Sequence, residues 1–273
     1  MIPLRDNIPS RTTPYVNYTL IAISVGVFLL QLISMGRGID LIEQFGMVPA
    51  RVFGGGRVDW VTQPVPGGWG AGLRAGTSAL PPAAVPDLLT LLTCIFLHGG
   101  WLHLIGNVWF LYVFGDNVED RLGHWRYLLL YLSWGVAASG VHLMTASESA
   151  IPTIGASGAI AGVMGAYFLL YPRAKVTALV PLFVLVWVLV LPAPVFLGVW
   201  FLIQLFQGSF ALGGSASGGV AWWAHIGGFV AGAGVAWLLV QSGRARPAVV
   251  EIRPRTRRIV RYGDVPIRRR RRL

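Results

Sequence analysis

The residues whose types and spacing allow chemistry are a serine set between glycines, Gly155-Ala156-Ser157-Gly158, and a histidine ahead of two more, Ala224-His225-Ile226-Gly227-Gly228. A serine hydroxyl is a weak nucleophile until a base takes its proton, and a neutral imidazole suits that task near pH 7. The apolar run after Ser157 stops at Tyr171-Pro172-Arg173, so the pattern predicts a helix that starts at the serine. The first N–H groups of such a helix have no carbonyl of their own to bind and favour an anion. Serine, base and anion-stabilising helix end together describe acyl transfer through an oxyanion, which needs further donors. His103 and Asn107 lie four residues apart on one helix face and supply them. No carboxylate is placed to be a third member: Asp116, Glu119 and Asp120 fall toward the far end of that helix and Glu148 falls in a loop. The pattern therefore predicts a Ser157/His225 dyad. A lone Gly-x-Ser-Gly in a membrane helix is more often a packing motif, whereas a histidine within a span is a functional candidate by default.

The elements that must position these groups are membrane helices. With 55% hydrophobic and 12% charged residues and a mean hydropathy of +0.63, the chain reads as a polytopic membrane protein. Its single cysteine, Cys94, excludes an intrachain disulfide and a cysteine-rich metal site. The net charge of +11 suggests nucleic acid only until it is located, because twelve of the 22 Lys and Arg residues lie from Arg244 onward. Tyr262 is the only aromatic among them, so this is expected to be a solvated cytoplasmic tail that meets anionic lipid, with no nucleic-acid partner.

Apolar runs predict spans at about Tyr18–Met35, Trp101–Phe114, Trp125–Thr145, Ser157–Tyr171, Val195–Gln207 and Trp222–Val240. Val176–Leu191 is left as an interfacial or re-entrant piece, because counting it as a seventh span would place the Arg-rich tail outside. Six spans put the N-terminal Arg5 and Arg11, the Arg121–Arg126 loop, the Arg173–Lys175 loop and the tail on one side. The expected organisation is a cytoplasmic N-terminal segment (1–17), a membrane domain (18–243) whose long first loop covers 36–86 and lies partly in the interface, and a cytoplasmic tail (244–273). The fold class is an all-α polytopic membrane protein with a bundle of six transmembrane helices.

The fourth helix is short. About 15 residues span ~22 Å against a hydrocarbon core of roughly 30 Å. With Tyr171 and Arg173 at an interface, Ser157 falls below the opposite surface, where non-helical backbone is tolerated only beside a wet or protein-walled cavity. Gly158 with Gly162, and Gly228 with Gly232, are small-xxx-small pairs that allow two helices to approach closely and bring His225 to Ser157. On this basis Gly232→Leu should wedge the helices apart, Gly232→Ala should be mild, and Gly243→Leu should serve as a control.

Taken in order, His98-x4-His103-x3-Asn107, Gly155-Ala156-Ser157-Gly158 and Ala224-His225-Ile226-Gly227-Gly228 resemble the motifs of the rhomboid intramembrane serine proteases, as does Glu119-Asp120-Arg121-Leu122-Gly123 for that family's Glu-x-Arg loop. The resemblance covers about residues 18–241. It implies a six-helix rhomboid-like bundle, a Ser157/His225 dyad, and an oxyanion site that includes His103 and Asn107. His98 takes a structural role, and Gly155, Gly158 and Gly228 support the site. The implied activity is endopeptidase cleavage of single-span membrane proteins in a bacterial cell membrane, without cofactor or metal. Two positions depart from the pattern. The first loop has no Trp-Arg pair, Trp125-Arg126 lying elsewhere, and Ala161 stands where some members carry an aromatic residue against the base. The orientation of His225 must then come from other contacts.

Three other readings compete. A zinc protease is disfavoured because His98 and His103 lack the His-Glu-x-x-His spacing and a ligand carboxylate. A rhomboid-like protein that binds membrane clients without cleaving them has no need to keep serine, histidine and Asn107 together. A transporter would carry more charge within its spans and an inverted repeat.

Overall fold

A computed structural model of the 273-residue chain describes residues 1–54, 57–60, 76–182, 185–212 and 220–245. The chain begins with strand β1 (Ile2–Asp6) and helix α1 (Tyr15–Met35). The first loop carries helices α2 (Leu41–Phe45) and α3 (Pro49–Gly54) and the paired strands β2 (Arg57–Trp60) and β3 (Gly76–Ala79). A short helix, α4 (Thr90–Thr93), precedes α5 (Trp101–Leu122), α6 (His124–Thr145) and α7 (Ser157–Leu170). Strands β4 (Lys175–Leu182) and β5 (Leu185–Pro192) then lead into α8 (Ala193–Leu212) and α9 (Trp222–Gln241).

Among the described residues, α1, α6, α8 and α9 are each long and apolar enough to cross a membrane, and the segment 87–122, bent by 80° ahead of Trp101, makes a fifth if it is one span. α7 has 14 residues and falls below that length. The all-α expectation is corrected by a three-stranded sheet in the order β1-β4-β5. Its hairpin occupies the apolar piece left without a span. Valines recur through it at 176, 180, 186, 188 and 190, and Pro181 disfavours a helix interior. The second predicted helix runs on two further turns to Leu122, so the Glu119–Arg121 motif lies in helix rather than in a loop.

That extension has a physical use. The Glu119 carboxylate accepts the Asn17 N–H at 2.7 Å and the Val16 N–H at 3.0 Å, meeting the unpaired donors at the start of α1. Arg121 donates to the Leu170 carbonyl at 3.3 Å, at the far end of α7. Residues 1–17 are packed onto the same region. Asp6 accepts from Asn117 Nδ2 at 2.8 Å, from the Tyr167 hydroxyl at 2.5 Å and from the Ile8 N–H at 3.1 Å. Burial, opposed by these bonds, pushes the Asp6 carboxyl up to about 6.

α7 is the central helix, with eleven of its residues buried. Its glycines face two neighbours at once. A methyl at Gly158 would stand 2.6 Å from Ala138 Cβ, and one at Gly162 2.5 Å from Trp134 Cβ, both on α6. On the other side the α9 glycines receive α7 backbone: a methyl at Gly228 would stand 2.0 Å from the Gly158 carbonyl oxygen, and one at Gly232 1.9 Å from that of Gly162. Gly165 returns the contact, 2.0 Å from the Phe229 oxygen on the same measure. The small-residue pairs thus meet as expected, but Gly158 and Gly162 need their missing side chains to clear α6, not α9.

The mildness expected of Gly232→Ala is overturned for the same reason. The methyl would meet a carbonyl oxygen of backbone, which cannot swing aside as a side chain can. Gly232→Ala is expected to cost the ~1–3 kcal/mol typical of overpacking, measured as thermal unfolding in detergent. Gly234→Ala, with nothing within 4 Å of the added methyl, should be neutral. It is a better control than Gly243, whose φ of +65° strains any side chain. A second expectation follows from Asp6. Its raised folded pKa means that its contribution to stability is fully present below the unfolded value, near 3.8, and is lost as pH rises through about 6. Stability measured from pH 4 to 7 should therefore decline in the wild type and be flattened in Asp6→Asn.

Candidate active site

Ser157 opens α7 and His225 lies in the first turn of α9, so the close packing of these helices sets the distance between them. His225 Nε2 stands 2.8 Å from Ser157 Oγ, within the reach a general base needs. The other ring nitrogen, Nδ1, is 2.7 Å from Gln204 Oε1 on α8. The Trp200 ring lies 5.9 Å from the imidazole, tilted by 37°, and the Trp222 ring meets it edge-on at 6.2 Å. These contacts orient His225.

Both expected oxyanion donors face the same space. His103 Nδ1 accepts the Gly99 N–H at 3.3 Å, which leaves the ring proton on Nε2. That atom lies against Gly155, where a methyl would be 2.6 Å away, and Asn107 Nδ2 would be 3.6 Å from the same methyl. Asn107 Nδ2 is buried and has no hydrogen-bond partner among the described residues, as befits a donor held for an incoming acceptor. The Ser157 N–H, at the free end of α7, completes the set.

Gly155 has φ of +119°, a conformation that favours glycine, and its N–H donates to the Cys94 carbonyl at 2.9 Å. The preceding loop is pinned to the first loop by paired bonds between Met47 and Thr153, at 3.2 and 2.7 Å. The first loop is itself held by Arg51, which is buried and donates to the carbonyls of Glu43, Gly46 and Pro81. Its stretch from 61 to 75, with Trp69, lies outside the described residues. His98 sits behind the site: its N–H donates to Gln31 Oε1 and its carbonyl accepts from Gln31 Nε2, each at 3.0 Å. Its ring packs edge-on to His103 at 5.3 Å.

Ser157, His225, His103 and Asn107 line one cavity of about 710 Å³, together with Trp200 and His142. Three of the residues in and around this cavity escaped the sequence reading. Gln204 and Trp200 sit in an apolar run with no charge to mark them, and His142 is one uncharged-looking residue near the end of α6. The single available signal was the i, i+4 spacing of Trp200 and Gln204, which many packed helices share. A serine hydrogen-bonded to a half-buried imidazole, beside the unpaired Asn107 amide and the half-buried start of α7, can attack a carbonyl carbon and hold the resulting oxyanion. Among the described residues no group of three His, Cys, Asp or Glu side chains is placed to hold a metal ion.

Comparison with known proteins shows the family. A Rhomboid domain matches residues 86–242, more than half of the chain, and the chain belongs to the rhomboid family. It is similar to RHOMBOID-like protein 5 of Arabidopsis thaliana, 41% identical over 76 residues that make up 28% of this chain and 25% of that protein. It is 43% identical to Rhomboid protease GluP of Bacillus subtilis (strain 168), again over 76 residues, 28% of this chain and 14% of that one. A longer match, 31% identical over 180 residues, is to RHOMBOID-like protein 12, mitochondrial, of Arabidopsis thaliana and covers 58% of this chain and 48% of that protein. The chain spans less than half the length of each of these relatives. Family membership and the apolar helices make it an integral membrane protein.

Gly155 is the position where the site geometry leaves least room. Gly155→Ala should strain the backbone and displace His103, so labelling of Ser157 by a fluorophosphonate probe is expected to slow by ~10²-fold, the scale of a lost oxyanion donor, while the variant still inserts. Labelling at the wild-type rate would remove His103 from the site.

Proposed function

We propose that the chain is an intramembrane serine endopeptidase that cleaves transmembrane segments of single-span membrane proteins, with Ser157 as nucleophile and His225 as base. The observation that carries this reading is the 2.8 Å approach of His225 Nε2 to Ser157 Oγ within the cavity that also holds Asn107 and His103. The relative named as a protease, GluP, supports it.

In this mechanism His225 takes the hydroxyl proton as Ser157 Oγ bonds to the scissile carbonyl carbon. Asn107 Nδ2, His103 Nε2–H and the Ser157 N–H bind the oxyanion. The imidazolium then gives its proton to the departing amine as the C–N bond breaks, and water hydrolyses the acyl-enzyme by the same steps in reverse. A helical substrate hides its carbonyls in hydrogen bonds, so it must unwind locally before attack. Substrates should therefore carry helix-destabilising Gly, Pro or polar residues near the cut.

The proposed topology has six spans, with α7 as the short fourth one and segment 87–122 as the second, and with both termini cytoplasmic. The absence of Lys, Arg, Asp and Glu from 176 to 243 and the concentration of Arg from Arg244 onward support the placement of the tail. Residues 246–273, where anionic lipid is proposed to bind, lie outside the described residues. A bacterial cell membrane is the proposed location.

Ser157→Ala and His225→Ala are each expected to abolish cleavage of a model single-span substrate in proteoliposomes, because the pair acts as a unit. Asn107→Ala should lose ~10²-fold or less, since the remaining donors compensate in part. Full activity in either dyad variant would overturn the mechanism, and a wild type that binds substrate without cleaving it would assign the fold to a membrane-client binder.

A further inference from the structure

The bond between His225 and Gln204 carries an inference that rests on the proposed dyad and goes beyond it. We propose that Gln204 is a positioning residue for the reaction, an uncharged third member that fixes both the tautomer and the orientation of the base.

The Trp200 carbonyl, which can only accept, fixes the orientation of the Gln204 amide. Gln204 is 5% exposed, so both ends of its amide must find partners. Its Nε2 lies 3.3 Å from the Trp200 carbonyl oxygen, one helical turn back. A backbone carbonyl only accepts, so the amide must turn its NH₂ toward Trp200 and its oxygen toward His225. At 2.7 Å from that oxygen, His225 Nδ1 must in turn be the donor. The proton of a neutral imidazole is then on Nδ1, and Nε2 presents its lone pair to Ser157 Oγ at 2.8 Å. The opposite tautomer would point an N–H at the hydroxyl and could not take its proton. The direction of proton transfer is thus set by a chain of three bonds that begins at a helix carbonyl.

An amide is also the group the surroundings permit. No Asp, Glu, Lys or Arg occurs from 176 to 243, and an unpaired carboxylate among apolar spans would be costly to desolvate. The titratable groups that face His225 are His103 from α5 and His142 from α6. α7 and α8 bring Ser157 and Gln204 to it, and no charged side chain. The Trp200 and Trp222 rings limit tilting of the imidazole, but rings cannot choose between tautomers, which leaves that task to Gln204.

The test combines a spectroscopic and a kinetic readout on the full chain in liposomes. With ¹⁵N-labelled histidine, the His225 signal, assigned by its loss in His225→Ala, should show a protonated Nδ1 and a bare Nε2 at pH 8. Gln204→Leu should abolish that preference and lower kcat by ~10²-fold, the scale of a misplaced catalytic group, with KM within about twofold. Gln204→Glu keeps the accepting oxygen and the shape but adds a negative charge that favours the imidazolium. It should retain activity at high pH and move the acid limb of kcat/KM upward by one pH unit or more. A purely structural glutamine would leave the Nδ1 preference unchanged in Gln204→Leu. A wild-type His225 protonated on Nε2 overturns the proposal, as does Gln204→Leu with unchanged tautomer and kcat. If Gln204→Leu does not fold, the wild-type spectrum still decides. Should the wild type show the Nδ1 proton but cleave nothing, the protease reading fails while the positioning role stands.

Discussion

The site depends on a contact between two helix backbones. The carbonyls of Gly158 and Gly162 in α7 occupy the volume that side chains at Gly228 and Gly232 would fill in α9. In a bilayer no hydrophobic force distinguishes helix–helix from helix–lipid contact, so association rests on close packing and hydrogen bonds. The glycines allow backbone to touch backbone, and Ser157 and His225, each one residue or one turn from these contacts, inherit the resulting separation. The same glycine-rich α7 is pressed from the other side by Trp134 and Ala138 of α6. A helix held on both faces has little freedom to move its first residue.

A second constraint is the satisfaction of polar groups away from water. At the end of the bundle where α1 begins, Glu119, Asp6 and Asn17 tie the starts and ends of helices together with several bonds each, and Arg121 donates to the Leu170 carbonyl while its Nε is buried without a hydrogen-bond partner among the described residues. At the other end some donors and acceptors are open as well. Asn107 Nδ2 and His98 Nε2 are buried without a partner among the described residues, and so is His142 Nδ1. Of these, Asn107 Nδ2 faces the cavity, where an incoming acceptor could meet it.

The motif residues and the scaffold also meet through the loop ahead of α7. Gly155 in its left-handed conformation turns the chain into the helix while leaving room for His103, and Met47 and Cys94 anchor the loop by backbone bonds. The first loop, expected only to rest in the interface, therefore supports the wall of the cavity, and the buried Arg51 is what holds its carbonyls in place.

The sequence by itself determined the candidate groups, their order and the shortness of α7, because residue type and apolar run length are local properties. It also determined that small residues on α7 and α9 would meet, since a fixed helical period places Gly228 and Gly232 on one face. What it could not decide was anything set by the relative rotation of two helices. Gln204 is 21 positions from His225 and looks like an ordinary polar residue in an apolar run. Only the packing of α8 against α9 makes it a partner for Nδ1. The β1-β4-β5 sheet was hidden likewise, because an uninterrupted apolar stretch has no period that separates strand from helix, and the strand that completes it comes from the far end of the chain. The tolerance at Gly232 was misjudged because the sequence shows the size of a residue, not whether the atom it meets is side chain or backbone.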